Sequence, residues 1–369
     1  MRDWMKGMDV STLLEVERCG GRFYDHGTPG NAMDILKKYG MNMVRLRLWN
    51  HPCSEDGRPY GAGGCDLDTV LTLAKRAKKR GIGWMLDFHY SDFWADPGKQ
   101  TIPKAWQGMD VPELTQAIHD YTAGVLDICR EQDILPQMTA VGNELSNGLL
   151  WPYGRVPEYA NIARFISAGI RAVREADASI AVMLHLDNGG NNTLYRTWFD
   201  NYLKNEGEDF DCIGLSYYPF WHGSLEDLKY NMEDIAKRYH KPLIVVETSM
   251  GYTMKDYQGY EKLSDDMRKG MATKPELAAK VPFPMTPQGQ TAYIKTLMKM
   301  IREVSYGLGQ GFCYWEPAWI PVPGSGWATP EACEYIKEDG PGGNEWANQA
   351  LFDYDGNALP ALEAIRDFA

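Results

Sequence analysis

Leu243-Ile244-Val245-Val246-Glu247 is a short apolar run that ends on a carboxylate, and Thr139-Ala140-Val141-Gly142-Asn143-Glu144 repeats the design earlier in the chain. Neither run alternates apolar with polar residues, so each reads as a strand covered on both faces, as in parallel sheets. An ionisable residue closing such a run sits where sheet gives way to loops, within reach of a substrate.

Working outward, strand-like runs recur at 5–10, 41–49, 82–90, 138–144, 180–187, 212–218, 243–248 and 311–315. Helical patterns occupy 30–39, 67–80, 112–132, 161–176, 193–205, 225–239 and 286–305, and a last one closes the chain at 359–368. Eight β-then-α units predict an α/β fold of the (β/α)8 TIM-barrel type, with a parallel eight-stranded barrel, in preference to an open doubly wound sheet. No Gly-x-Gly-x-x-Gly follows the first strand, which removes the main signal for a dinucleotide site. No Pro-rich or Ser-rich linker divides residues 1–369, so they read as a single catalytic barrel domain.

Strand counting gives the two glutamates a place. Glu144 closes the fourth strand and Glu247 the seventh, at the C-terminal mouth where barrel enzymes keep their chemistry. Cleavage of a glycosidic bond needs such a pair, one carboxyl to protonate the leaving oxygen and one to attack or to activate water. Arg45 and Arg47 share one face of the second strand by the period-two rule. Other strand ends add Asp87-Phe88-His89-Tyr90, His185-Leu186-Asp187-Asn188, Tyr217-Tyr218 and Tyr314-Trp315-Glu316, and loops add Trp94, Trp106, Trp151, Trp221 and Trp319. Aromatic faces stack on the C–H faces of sugars while Asn, Asp and His bond hydroxyls. The 12 tryptophans and 21 tyrosines exceed what core packing asks for.

Taken singly, these residues have plainer readings. A strand-end glutamate is more often a solvated residue or a salt-bridge partner, and Arg45 could equally neutralise Asp87. His89 alone is more often a hydrogen-bonded core histidine, and Trp315 and Tyr218 could fill the barrel. Glu316, one residue past Trp315, should point the other way and make a structural ion pair. A Schiff-base aldolase would need a lysine at a strand's C-terminal end, and none is there. A metal-dependent hydrolase would want clustered histidines, whereas His89 and His185 are isolated. A non-catalytic sugar-binding barrel would not need both glutamates.

Composition narrows the partners. The net charge of −12 argues against nucleic acid and anionic membranes. No apolar run approaches the ~18–20 residues of a membrane span, and the first residues do not open a signal peptide. The 7 cysteines include no Cys-x-x-Cys pair, and an odd number excludes a full disulfide framework. Cys212 and Cys313 fall within strands, where a reduced, buried thiol is expected. A cytoplasmic monomer is the expectation as the chain stands, the alternative being secretion with a leader removed.

Longer motifs carry a family likeness. They are Lys6-Gly7-Met8-Asp9-Val10-Ser11, Val44-Arg45-Leu46-Arg47-Leu48-Trp49-Asn50, the stretch from Leu86-Asp87-Phe88-His89-Tyr90 to Gln100, Gly142-Asn143-Glu144, Ile213-Gly214-Leu215-Ser216-Tyr217-Tyr218-Pro219, Val245-Val246-Glu247-Thr248 and Tyr314-Trp315-Glu316-Pro317-Ala318-Trp319. With these the chain resembles glycoside hydrolase family 53, the endo-β-1,4-galactanases that cut the galactan side chains of pectin. The resemblance implies a retaining double displacement on β-1,4-galactan, with Glu144 as general acid/base and Glu247 as nucleophile. It also implies that Arg45 keeps Glu247 ionised by lowering its pKa and that Asn143 bonds the sugar's 2-hydroxyl. Tyr218 would orient the nucleophile, Trp315 would floor the subsite, and His89 would touch the same sugar. Some members carry an Asp-rich calcium loop after the seventh strand. Residues 253–266 lack the alternating oxygen ligands calcium wants, so no metal and no cofactor are expected, and Asp256, Glu261 and Asp265 read as a solvated loop face. The long loop running from there to Pro287 should shape one end of the binding groove.

Overall fold

The computed structural model describes residues 4–257, 274–338 and 343–369. Eight strands, β1 Met5–Asp9, β2 Met43–Leu48, β3 Gly83–Phe88, β4 Met138–Val141, β5 Ala181–Leu186, β6 Cys212–Ser216, β7 Leu243–Thr248 and β8 Gly309–Trp315, close into a barrel in the order β1-β8-β7-β6-β5-β4-β3-β2. Every neighbouring pair is parallel. The predicted fold class is therefore the observed one. Most predicted strands ran a residue or more too long, and the ends that overran at 144, 187 and 218 lie in mouth loops.

All eight predicted helices form, at Ala32–Lys38, Leu67–Lys79, Val111–Glu131, Tyr159–Ala176, Asn192–Lys204, Leu225–Tyr239, Pro287–Arg302 and Ala361–Asp367. Side-chain caps fix several starts, among them Asp66, Asp110, Ser224 and Thr286. Asp110 with Glu113 and Ser224 with Asp227 complete reciprocal capping boxes, and each such cap contributes about 1 kcal/mol. The short helices Leu13–Arg18, Pro275–Ala278 and Pro330–Ile336 went unpredicted because so few residues carry no readable period.

The barrel interior is layered by the period-two rule. Met5, Met85, Met138, Met183, Cys212 and Cys313 pack a sulfur-rich floor with Ile244 and Val246. Two residues further along the same faces stand Asp87, His185 and Trp315, and the same alternation puts Asp9, Arg45 and Ser216 above Gly7, Met43 and Gly214. A floor of soft, adaptable side chains thus supports a charged upper layer. All seven cysteines are free, and Cys212 and Cys313 are buried. Among the described residues no helix is long and apolar enough to cross a membrane.

Of the residues expected on a solvated loop face, Asp256 is half-buried beside Tyr354, while Glu261 and Asp265 lie outside the described residues.

Candidate active site

Alternation along β7 would send Ile244, Val246 and Thr248 inward and Glu247 outward. The register breaks that pattern. Gly214 pairs with Ile244 but Ser216 with Glu247, and on the other side Val245 pairs with Phe312 but Thr248 with Tyr314. Both neighbours see one extra residue in β7, a bulge that turns Glu247 into the barrel after Val246. Thr248 then faces out, its hydroxyl 2.6 Å from that of Tyr293 on helix Pro287–Arg302.

On the opposite side β4 stops at Val141 and a tight turn follows. Gly142 sits at φ +88, and a Cβ there would lie 2.6 Å from a Leu145 methyl, so the turn needs glycine. Glu144 itself adopts φ +47, a left-handed conformation rare for a side chain of its size. The turn and the bulge bring one carboxyl oxygen of each glutamate within 4.8 Å of the other.

Their surroundings differ. Arg45 lies wholly buried beneath the pair, with Nη1 2.8 Å from Asp9 and Nη2 2.7 Å from both Asp87 and Glu247. Nη2 also donates to Asn143 Oδ1 at 2.8 Å. The two readings of Arg45, partner of Glu247 or of Asp87, are both realised by one nitrogen. Tyr218 donates its hydroxyl to the other Glu247 oxygen at 3.0 Å. Burial raises the Glu247 carboxyl, and Arg45 and Tyr218 pull it back without restoring the ordinary value. Arg45 lowers the Glu247 pKa as expected, but desolvation is the larger effect and leaves the group above its ordinary value.

Glu144 is pushed well above the carboxylate range by burial, by the charge of Glu247 and by that of Asp187. Among the described residues no lysine or arginine pairs with it. Asp187, buried beside it, is itself raised to about 6 by burial. His185 completes the cluster with Nδ1 2.9 Å from Asn143 Oδ1 and Nε2 2.7 Å from Ser216 Oγ. Burial keeps that imidazole neutral, and both its nitrogens are already engaged within the protein.

A cavity of about 120 Å³ opens onto the pair. Six of the seven residues singled out from sequence line it, namely Glu144, Glu247, Asn143, His89, Tyr218 and Trp315, while Arg45 lies underneath. His89 Nδ1 accepts from Trp49 Nε1 and from the Ala95 amide, each at 3.2 Å, so its Nε2 carries the proton facing Asp87 at 3.1 Å. Arg47 bonds Glu316 at 2.7 Å, the ion pair expected of Glu316, whose carboxyl burial lifts to about 8.

The rest of the lining is aromatic. Trp94 stacks on Trp327 at 4.3 Å between ring centres, and Trp315 meets Trp346 edge-on at 4.9 Å. Trp106 and Trp319 were expected at the mouth but are buried outside the cavity lining, Trp319 stacking behind Trp327. Tyr217 likewise turns away, bonding the Gly223 carbonyl. Trp346 and Ser216 were missed. Ser216 was legible from the alternation Cys212, Gly214, Ser216, whereas nothing local marks Trp346, which arrives from a distant loop. Asp96, also in the lining, sat unremarked inside the long motif after β3.

The model for glycosyl hydrolase family 53 matches residues 5–365, a span holding all eight strands. An endo-β-1,4-galactanase of Bacillus subtilis (strain 168) is 36% identical over 386 residues, covering 99% of this chain and 86% of the relative. An arabinogalactan endo-β-1,4-galactanase of Thermothelomyces thermophilus is 33% identical over 371 residues, covering 98% of each. The solved family 53 catalytic domain of Ignisphaera aggregans matches with a TM-score of 0.90 and 37% identity, covering 99% of this chain and 96% of that one. By sequence, by barrel and by relatives matched over nearly their whole length, the chain belongs to glycosyl hydrolase family 53.

Proposed function

We infer that the protein is an endo-acting galactanase that hydrolyses internal β-1,4-galactosidic bonds of galactan or arabinogalactan with retention of configuration. The observation that carries the mechanism is the approach of Glu144 and Glu247 to within 4.8 Å, with Arg45 paired to Glu247 and, among the described residues, no cation paired to Glu144. Retaining enzymes hold their carboxyls ~5–5.5 Å apart, whereas inverting ones leave ~6.5–9.5 Å for a water.

In this reading Glu247 attacks the anomeric carbon as a carboxylate. Arg45 and Tyr218 pin its two oxygens, so the carboxylate plane is set before substrate arrives. Glu144, held protonated by burial and by the neighbouring charge, gives its proton to the leaving oxygen as that bond breaks. The anionic Glu144 then takes a proton from water, whose oxygen displaces Glu247 from the same carbon and restores both groups. Asn143 is positioned for the 2-hydroxyl by bonds to Arg45, His185 and the Ala95 carbonyl. Trp315 presents its ring to the sugar's apolar face.

Incubation with β-1,4-galactan, arabinan, mannan and xylan, with product size followed over time, tests this assignment. Early release of mixed galacto-oligosaccharides from galactan alone is expected. Release from another polymer in preference to galactan, or binding to galactan without new reducing ends, would overturn it.

A further inference from the structure

Gln100 closes the long motif after β3 and is buried, 2% exposed, behind the cavity rather than in its lining. A buried primary amide must find partners for its donors. Its Nε2 donates to the Asn143 carbonyl at 2.9 Å and to the Asp96 carbonyl at 3.3 Å. Both partners can only accept, so the amide has one orientation. The first bond crosses from the loop after β3 to the loop after β4, and others run beside it. Asn143 Nδ2 donates to the Ala95 carbonyl at 2.8 Å, Asn147 Nδ2 to the Pro97 carbonyl at 2.7 Å, and the Trp151 amide to the Gln100 carbonyl at 2.8 Å.

The Asn143 carbonyl belongs to the peptide unit whose nitrogen is that of Glu144. Glu144 turns about its N–Cα bond relative to that unit, and its φ of +47 is a conformation that costs energy for any residue but glycine. A change of φ swings the Cα–Cβ bond and carries the carboxyl with it. The Asn143 side chain is tied separately, by Arg45, His185 and the Ala95 carbonyl.

We propose that Gln100 is a positioning residue for the general acid: its bond to the Asn143 carbonyl holds the 143–144 peptide plane and, through it, the Glu144 carboxyl at the leaving oxygen. This rests on the acid/base reading of Glu144. Gln100 itself moves no proton. Without its bond the peptide unit turns and the carboxyl leaves its place, whereas Glu247 stays pinned by Arg45 and Tyr218. The consequence therefore falls on proton donation and not on nucleophilic attack. When galactan is cut, the C–O bond breaks as the Glu144 proton passes to the departing sugar oxygen, which is too basic to leave as an alkoxide. A dinitrophenolate leaves as the anion and needs no proton, so its kcat/KM reports the attack of Glu247.

The test compares kcat/KM on β-1,4-galactan and on a dinitrophenyl β-galactobioside for Gln100→Leu, which keeps much of the volume and lacks the donor. A loss of about 10- to 100-fold on galactan, against about two-fold or less on the aryl substrate, is expected. Equal losses on the two substrates, as a generally loosened fold would give, overturn the proposal, and so does a folded variant with no loss on galactan. Should Gln100→Leu fail to fold, Gln100→Met, closer in length, decides by the same comparison. Glu144→Ala run beside them separates the failures. If Glu144→Ala distinguishes the substrates and the Gln100 variants do not, only the role of Gln100 falls. If Glu144→Ala does not distinguish them, the acid/base reading of Glu144 falls, and the role of Gln100 with it.

Discussion

Arg45 Nη2 lies 2.7 Å from Glu247 Oε1, and no such cation touches Glu144 among the described residues. Two carboxyls that share burial do not share a counter-charge. Both are raised, but Glu144 further, which separates an acid that keeps its proton from a neighbour that loses it.

A bell-shaped pH profile of kcat/KM follows, with Glu247, raised from its ordinary value, setting the acid limb and Glu144 the basic limb. Tyr218→Phe removes a bond that lowers the Glu247 pKa. The acid limb should move to higher pH, and kcat/KM at the optimum should fall about ten-fold or more. An unchanged acid limb would contradict the role given to Tyr218.

Burial of Glu144 should cost stability when it ionises. Its folded pKa is raised above the unfolded value, so its favourable contribution is complete in acid and is lost as pH rises through the folded pKa. Glu144→Gln keeps the shape without the charge. On the basic side of that titration it should therefore be more stable than wild type, by on the order of 1 kcal/mol in urea unfolding, with little difference in acid.

Arg45→Met should act in the opposite sense. It strips the cation from Asp9, Asp87 and Glu247 at once, and loss of one partner from a buried pair costs about 3–5 kcal/mol. Burial would raise Asp9, but Arg47 and Arg45 outweigh it and hold the group below its usual value. Wild type gains stability from Asp9 above the unfolded carboxylate pKa and loses it as pH falls through the lowered folded one. In the variant Asp9 keeps Arg47 but loses the lowering by Arg45, and Glu247 is raised further, so the destabilisation should be largest near neutrality and shrink in acid. Urea midpoints measured across that range check the sign.

The fold was legible because its decisive signal is local and repeated. A doubly buried strand such as Leu243–Thr248 announces itself by unbroken apolarity, and eight of them leave little choice of architecture. The glutamate pair was legible for a related reason, since each ends such a run. How Glu247 comes to point inward was not, because alternation places it outward and only pairing with β6 and β8 reveals the bulge. Trp106 and Trp319 could not be sorted from Trp94 and Trp327 because loop residues have no period to follow. The net direction of the Glu247 pKa was not legible, because a sequence reveals the partner Arg45 but not the desolvation it must offset.

Azide rescue distinguishes the two glutamates. Glu247→Ala should lose activity by about 10⁴-fold. With an activated β-galactoside, azide should enter the vacated face and give the α-galactosyl azide. Glu144→Ala should instead pass through the covalent intermediate and give the β-galactosyl azide. The reverse assignment of products would exchange the roles.

Covalent trapping tests the double displacement most directly. A 2-deoxy-2-fluoro-β-galactobioside with a dinitrophenolate leaving group should inactivate the enzyme with one glycosyl unit bound per chain, because fluorine slows both steps while the good leaving group speeds only the first. Peptide mass spectrometry should place that unit on Glu247. An adduct on Glu144, or rapid turnover that gives the α-anomer with no adduct, would contradict the account.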